Sequence, residues 1–146
     1  MRLKKILMLG LIAVAGMFAA KADTYSRDVN TLPQAARLTL SNNFKAKVSV
    51  IKIDKDLGRV SDYEVVLTDG TEIQFDRDGN WKEIEMPVNK GVPEKFLPKE
   101  INDYIKDNHK GEKVVGLEKE RSGFEVTLSN DLDLKFDRNG NFVRYD

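Results

Sequence analysis

The chain has 146 residues, 40% of them hydrophobic and 33% charged, with 24 Lys and Arg against 24 Asp and Glu and one His. That balance excludes a disordered polar chain and sets the size at one modest domain or two small fused units. Cysteine is absent, which excludes disulfides, thiol chemistry and a Cys-linked lipid anchor.

The first element is a targeting segment. MRLKKILMLGLIAVAGMFAAKAD starts basic with Arg2, Lys4 and Lys5, runs apolar over residues 6–20, and ends on the small-residue site Ala20-Lys21-Ala22. These are the three parts of a secretory signal peptide, with cleavage expected after Ala22. The apolar run is shorter than the about 20 residues of a membrane span. Residues 1–22 hold four of the 24 Lys and Arg and no acid, so the rest carries 20 basic and 24 acidic side chains, a net charge of −4. A mildly acidic product has no electrostatic footprint for nucleic acid. The expectation is a periplasmic or secreted protein with no membrane span after cleavage, and residues 23–31 form a short leader.

Residues 32–86 and 87–146 read as one unit written twice. Leu32-Pro33 matches Leu97-Pro98, Tyr63-Glu64-Val65 matches Phe124-Glu125-Val126, and FDRDGNW at 75–81 matches FDRNGNF at 136–142. The offset shifts only where residues 57–62 face the shorter 121–123, and loops tolerate such changes. Each unit opens with a helix, Pro33 and Pro98 suiting its first position. Ile101, Tyr104 and Ile105 share one helical face; Ala36, Leu40 and Phe44 do so less fully. Gly111 can stop the second helix.

Strands are expected at 47–54, 63–68, 71–76 and 81–86, with inward sets Tyr63, Val65, Leu67 and Ile73, Phe75. The second set of inward residues is Phe124, Val126, Leu128 and Leu132, Leu134, Phe136. Asp69-Gly70, Asp78-Gly79 and Asn139-Gly140 are hairpin turns. The expected fold class is therefore α+β: a tandem repeat of helix plus four-stranded antiparallel sheet, the helix packed on one sheet face. The aspartate-rich turns fail as calcium loops, because from Asp76 the glycine arrives at position 4 rather than 6 and position 12 is Pro87.

LPKEINDYIKDNHKGEKVVGLEKERSGFEVTLSNDLDLKFDRNGNF resembles the PepSY-like domains of exported Bacteroidetes-type proteins, which are similar to the β-lactamase inhibitor protein. The resemblance rests on Leu97-Pro98, Tyr104-Ile105, Asn108 to Gly111, Gly123 to Leu128 and Phe136 to Phe142, with Val92-Pro93 ahead of them. It implies an exported α+β protein whose activity is binding to a protein or peptide, inhibitory in its cousin. It supplies no catalytic residues.

The residues themselves also argue against an enzyme. His109 caps the end of the second helix, where positive charge suits the helix dipole. It would have to serve any Ser-His-Asp triad or zinc site alone. Paired carboxylates for glycoside hydrolysis stay open as a further alternative, since acids abound. No metal or cofactor is expected. The expected partner-binding set is Glu64, Val66, Gln74, Trp81, Glu125 and Lys135, on or beside a polar sheet face that also carries Thr68, Glu72, Thr127 and Asp133. Trp81 also reads as a packing residue at the helix or the repeat junction. The reading is a non-enzymatic protein-binding module for a periplasmic or extracellular protein. The alternative is a small-ligand carrier or envelope accessory, binding between the two repeats.

Overall fold

The computed structural model describes residues 23–146, so the expected signal peptide at 1–22 lies outside the described residues. Nine strands run β1 (Thr24–Ser26), β2 (Val48–Asp56), β3 (Arg59–Leu67), β4 (Glu72–Asp76), β5 (Trp81–Glu85), β6 (Val114–Glu120), β7 (Gly123–Leu128), β8 (Asp133–Asp137) and β9 (Phe142–Tyr145). Two ten-residue helices, α1 (Gln34–Asn43) and α2 (Lys99–Asn108), precede β2 and β6.

All nine strands join one antiparallel sheet in sequence order. This corrects the expected tandem of helix-plus-four-strand units. β5 pairs directly with β6 through Glu83↔Glu118, Ile84↔Leu117 and Glu85↔Gly116, so the strands that would have ended one sheet and begun the next are neighbours. The physical reason is that two small sheets would expose two more edges of unpaired N–H and C=O groups and divide a thin core. Pairing removes the edges, and a single buried cluster runs from Ile51 to Phe136. The protein is mostly β, with the helices as minor elements.

Both helices pack on one sheet face. Ala36 and Leu40 of α1, and Ile101 and Ile105 of α2, are buried in the same cluster as Val65, Ile73, Phe75, Ile84, Leu117, Val126, Leu134 and Phe136. Helices this short are marginal alone and depend on that burial. Pro33 and Pro98 sit one residue earlier than expected, as extended N-caps. Leu132, expected inward, is 40% exposed because β8 begins only at Asp133.

The heptapeptides at 75–81 and 136–142 build the same turn. One Asp76 carboxylate oxygen accepts from the Asp78 and Asn80 N–H groups, both at 2.9 Å, and the other from the Asn80 side chain at 3.2 Å. Asp137 does the same with Asn139 and Asn141 at 2.9, 2.9 and 3.1 Å. These donors hold Asp76 below the ordinary carboxylate range despite the opposing effect of burial, and hold Asp137 there too. The glycines have a second duty besides positive φ. A Cβ on Gly79 would lie 2.8 Å from Pro33 Cβ and 2.9 Å from Ala36 N, and one on Gly140 would lie 2.9 Å from Glu100 Cβ. Each turn is the seat of a helix start, and only glycine leaves room for it.

The β2–β3 hairpin corrects another expectation. Residues 57–62 are not a loop; β3 begins at Arg59, and Leu57 and Gly58 alone make the turn, with φ of 48° and 76°. The longer segment is spent on longer strands. Leu57 is 96% exposed and holds a left-handed conformation that costs a branched residue about 1–2 kcal/mol. Leu57→Asn therefore raises folding stability by about 1 kcal/mol, read as a higher urea midpoint at unchanged m-value.

Candidate functional site

The helix-free face of the sheet holds the charged residues. Strand alternation sends Ile51, Val65, Ile73, Ile84, Leu117, Val126 and Leu134 to the helices, and their neighbours to the other side. The register then aligns one row across eight strands: Lys52, Glu64, Gln74, Glu83, Glu118, Glu125, Lys135 and Arg144 are successive cross-strand partners. The next row runs Val50, Val66, Glu72, Glu85, Gly116, Thr127 and Asp133.

Four of the six expected binding residues, Glu64, Gln74, Glu125 and Lys135, fall in the first row. Val66 is in the second, opposite Val50, so the apolar spot on this face is a pair rather than a single residue. Trp81 is not with them. It pairs with Phe75 on the helix side, packs edge-on against Phe96 at 5.6 Å, and carries the Lys119 ammonium 3.6 Å from its ring centroid. A bulge between Gln74 and Phe75 puts Lys82 out of step, where its Nζ meets Asp62 at 2.7 Å. Phe142, the other aromatic of the heptapeptides, stacks on Tyr104 at 4.8 Å, four strands or about 19 Å from Trp81. The two rings fill separate stretches of core and do not line a shared cleft.

Sequence reasoning missed Glu83, Glu85 and Glu118 because it did not pair β5 with β6. The alternation in WKEIE and in VVGLEKE, which turns Ile84 and Leu117 inward, was the signal that could have found them.

The two flanks of the face are neutralised by lysine. Lys52 Nζ lies 3.0 Å from Asp54, 3.7 Å from Glu64 and 3.8 Å from Asp23. Those carboxylates raise its pKa against the downward pull of burial. On the other flank Lys135 Nζ lies 2.5 Å from Glu120 and is ion-paired with Glu125, which is 7% exposed. Glu118, Glu120 and Glu125 bring carboxylate oxygens within 4.8 Å of one another, and the Lys135 ammonium sits against two of the three. Thr127 donates to Asp133 at 2.6 Å.

Between the flanks the balance is acidic. Glu72 is pushed up to about 7 by burial first, then by the charges of Glu85 and Glu64. Glu64 is raised by burial, with Lys52 pulling the other way. At one corner Asp69 is held at about 2, because hydrogen bonds from Lys90 and Thr71 outweigh its burial.

His109 lies apart from this face. It caps α2, its ring 6.1 Å from Tyr104 and 5.9 Å from Tyr145, with Tyr145 Oη 3.3 Å from Nε2. A separate apolar groove of about 440 Å³ follows the outer flank of α1, between Leu38, Leu40, Phe44, Ala46 and Val48.

One antiparallel sheet with two short helices on one side and a charged face on the other defines a two-layer, mainly β domain. The chain belongs to the PepSY-like family, whose profile, described as "Putative beta-lactamase-inhibitor-like, PepSY-like", matches residues 61–144. Three solved structures are similar. A "putative periplasmic protein of unknown function" from Bacteroides vulgatus is 43% identical, with a TM-score of 0.80 over 85% of this chain and 98% of its own. A "putative calcium-regulated periplasmic protein" from Bacteroides thetaiotaomicron is 33% identical, with a TM-score of 0.77 over 85% and 96%. A second Bacteroides vulgatus "putative periplasmic protein" is 31% identical, with a TM-score of 0.77 over 87% and 98%. No curated protein matches the chain. Among the described residues no helix is long and apolar enough to cross a membrane.

Proposed function

We propose that the protein is an exported, non-enzymatic binding module that grips another protein through the helix-free face of its sheet, after removal of residues 1–22. The observation that carries this reading is the continuous cross-strand row from Lys52 to Arg144, which both helices leave uncovered. The inhibitor-like description of the family supports it, as does the periplasmic description of the similar structures. A sheet face of this kind offers many side chains fixed in register, so a partner meets a surface already ordered and little entropy is lost on docking.

The test is site-specific photo-cross-linking in intact cells. A photoreactive residue at Gln74 should give a discrete protein adduct, and one at Leu38, on the outer side of α1, should not. Equal adducts from the two positions, or none from Gln74, would overturn the assignment of this face.

A further inference from the structure

We propose that the groove along the outer flank of α1 binds a single-chain anionic amphiphile, a free fatty carboxylate whose alkyl chain follows the helix and whose head meets Arg37. The site is separate from the helix-free sheet face, and the inference stands whether or not that face grips a protein.

The first ground is that the fold does not require an apolar groove here, because the second helix carries its counterpart in polar form. α1 and α2 each have ten residues, start after Pro33 and Pro98, and end at Phe44 and His109. Position for position, Leu38 corresponds to Asp103 and Ser41 to Lys106. Val29, which opens the short helix Val29–Thr31, corresponds to Glu94, which opens Glu94–Phe96. Beside α2 the Lys106 ammonium lies 3.2 Å from the Glu94 carboxylate, and Asn102 Nδ2 donates to the Glu94 carbonyl at 3.1 Å. That groove is the smaller, about 260 Å³. Beside α1 the same places are apolar or neutral, Val29 is 41% and Leu38 51% exposed, and the groove holds about 440 Å³. Polar residues at these places serve the fold equally well, so aliphatic side chains held open to water point to an occupant.

The second ground is charge. Arg37 is the charged residue of the lining. Its Nη1 donates to Asn30 Oδ1 at 3.3 Å, and it has no ion pair among the described residues. Lys45 and Lys47 flank Ala46 of the lining, and residues 29–53 contain no Asp or Glu. This segment is cationic throughout, in a chain that is net acidic from Asp23 onward. A neutral apolar ligand would leave the guanidinium with a single neutral partner. A carboxylate offers it two parallel N–H···O bonds.

Size selects a single chain. The volume falls within the about 300–1,000 Å³ of small-molecule sites. From Arg37 to Phe44 the helix rises about 10 Å. Along that length Leu38, Leu40 and Phe44 form one wall and Val48 of β2 closes the other side. Such a groove takes one alkyl chain of medium length, with its head at the Arg37 end, rather than the paired chains of a bilayer lipid.

The experiment uses the chain from Asp23 onward and sodium decanoate below its micelle concentration, read by calorimetry and amide NMR shifts. Decyltrimethylammonium and phosphatidylglycerol vesicles are separate arms. Decanoate should occupy one site and shift the amides of residues 37–48. Hexanoate, four methylenes shorter, should bind at least tenfold more weakly. Decyltrimethylammonium, with the same chain and the opposite charge, should also bind at least tenfold more weakly than decanoate. Leu38→Asp, which gives α1 the residue α2 has at that place, should lose at least tenfold in decanoate affinity while the sheet amides keep their shifts. Arg37→Gln should lose at least tenfold for decanoate and nothing for decyltrimethylammonium. Val88→Asp, at an aliphatic residue exposed elsewhere, should bind as the parent does. Equal loss from Leu38→Asp and Val88→Asp would overturn the proposal. So would decyltrimethylammonium binding as tightly as decanoate, or binding to the vesicles with monomeric decanoate inert.

Discussion

Gly123→Ala should cost about 4 kcal/mol of folding stability, a large share of the whole for a domain of this size. Gly123 begins β7 with φ of 152° and pairs with Asp137 on β8. A Cβ there would lie 2.0 Å from the Phe136 carbonyl oxygen and 2.6 Å from the Asp137 carbonyl carbon. Those atoms are backbone, so no rotamer change relieves the overlap. β8 would have to move away, breaking the ladder that holds Phe124 against Phe136 and Val126 against Leu134. Gly58→Ala is the control. Its φ is also positive, at 76°, but nothing lies within 4 Å of the added Cβ, so only the backbone penalty of about 1 kcal/mol remains. Urea unfolding of both variants separates the cases. A Gly123→Ala midpoint equal to that of Gly58→Ala would show that β8 accommodates the methyl group.

This glycine also marks how far the fold is legible in the sequence. The aromatic-x-Val-x-Leu alternation after Gly123, and the alternation after Asp62 in β3, tell which side chains turn inward, and Val65, Leu67, Val126 and Leu128 are buried as that pattern requires. The Asp-Gly and Asn-Gly turns are equally plain, because their chemistry is local. What local pattern does not carry is the partner of β5. A strand whose two neighbours lie on either side of a 28-residue gap has no signal in its own residues, so Trp81–Glu85 reads as the end of a small sheet instead of the middle of a large one. The same omission explains the candidate site. Glu64, Gln74, Glu125 and Lys135 emerge from alternation within single hairpins. The acids between them, Glu83 and Glu118, join the row only through the β5–β6 pairing. Trp81 enters the binding set by residue type, whereas the Gln74–Phe75 bulge turns it to the core side, beside Phe96.

The acidic centre should also make stability fall as pH rises through neutrality. Glu72 on β4 faces Val66 and Glu64 from β3 and Glu85 and Glu83 from β5, with Glu118 of β6 beyond and Lys52 on the far side of Glu64. Burial and the charges of Glu85 and Glu64 push it up to about 7, against 4.5 for an ordinary glutamate. A raised carboxyl pKa means that the folded state holds a proton the unfolded chain has released. The contribution is therefore intact below pH 4.5, lost progressively between 4.5 and 7, and constant above. At 1.36 kcal/mol per pH unit the ceiling is about 3 kcal/mol, and solvent screening of a half-buried group brings the expected loss to about 1–2 kcal/mol. Glu64 shifts in the same direction. Asp69, Asp76 and Asp137 shift downward and act only below the ordinary Asp value of 3.8, outside this window. Glu72→Gln removes the proton exchange without changing shape. Its urea midpoint should match the parent at pH 5 and exceed it at pH 8, with the gap opening between them. A gap that is the same at both pH values would mean that Glu72 titrates as a free glutamate.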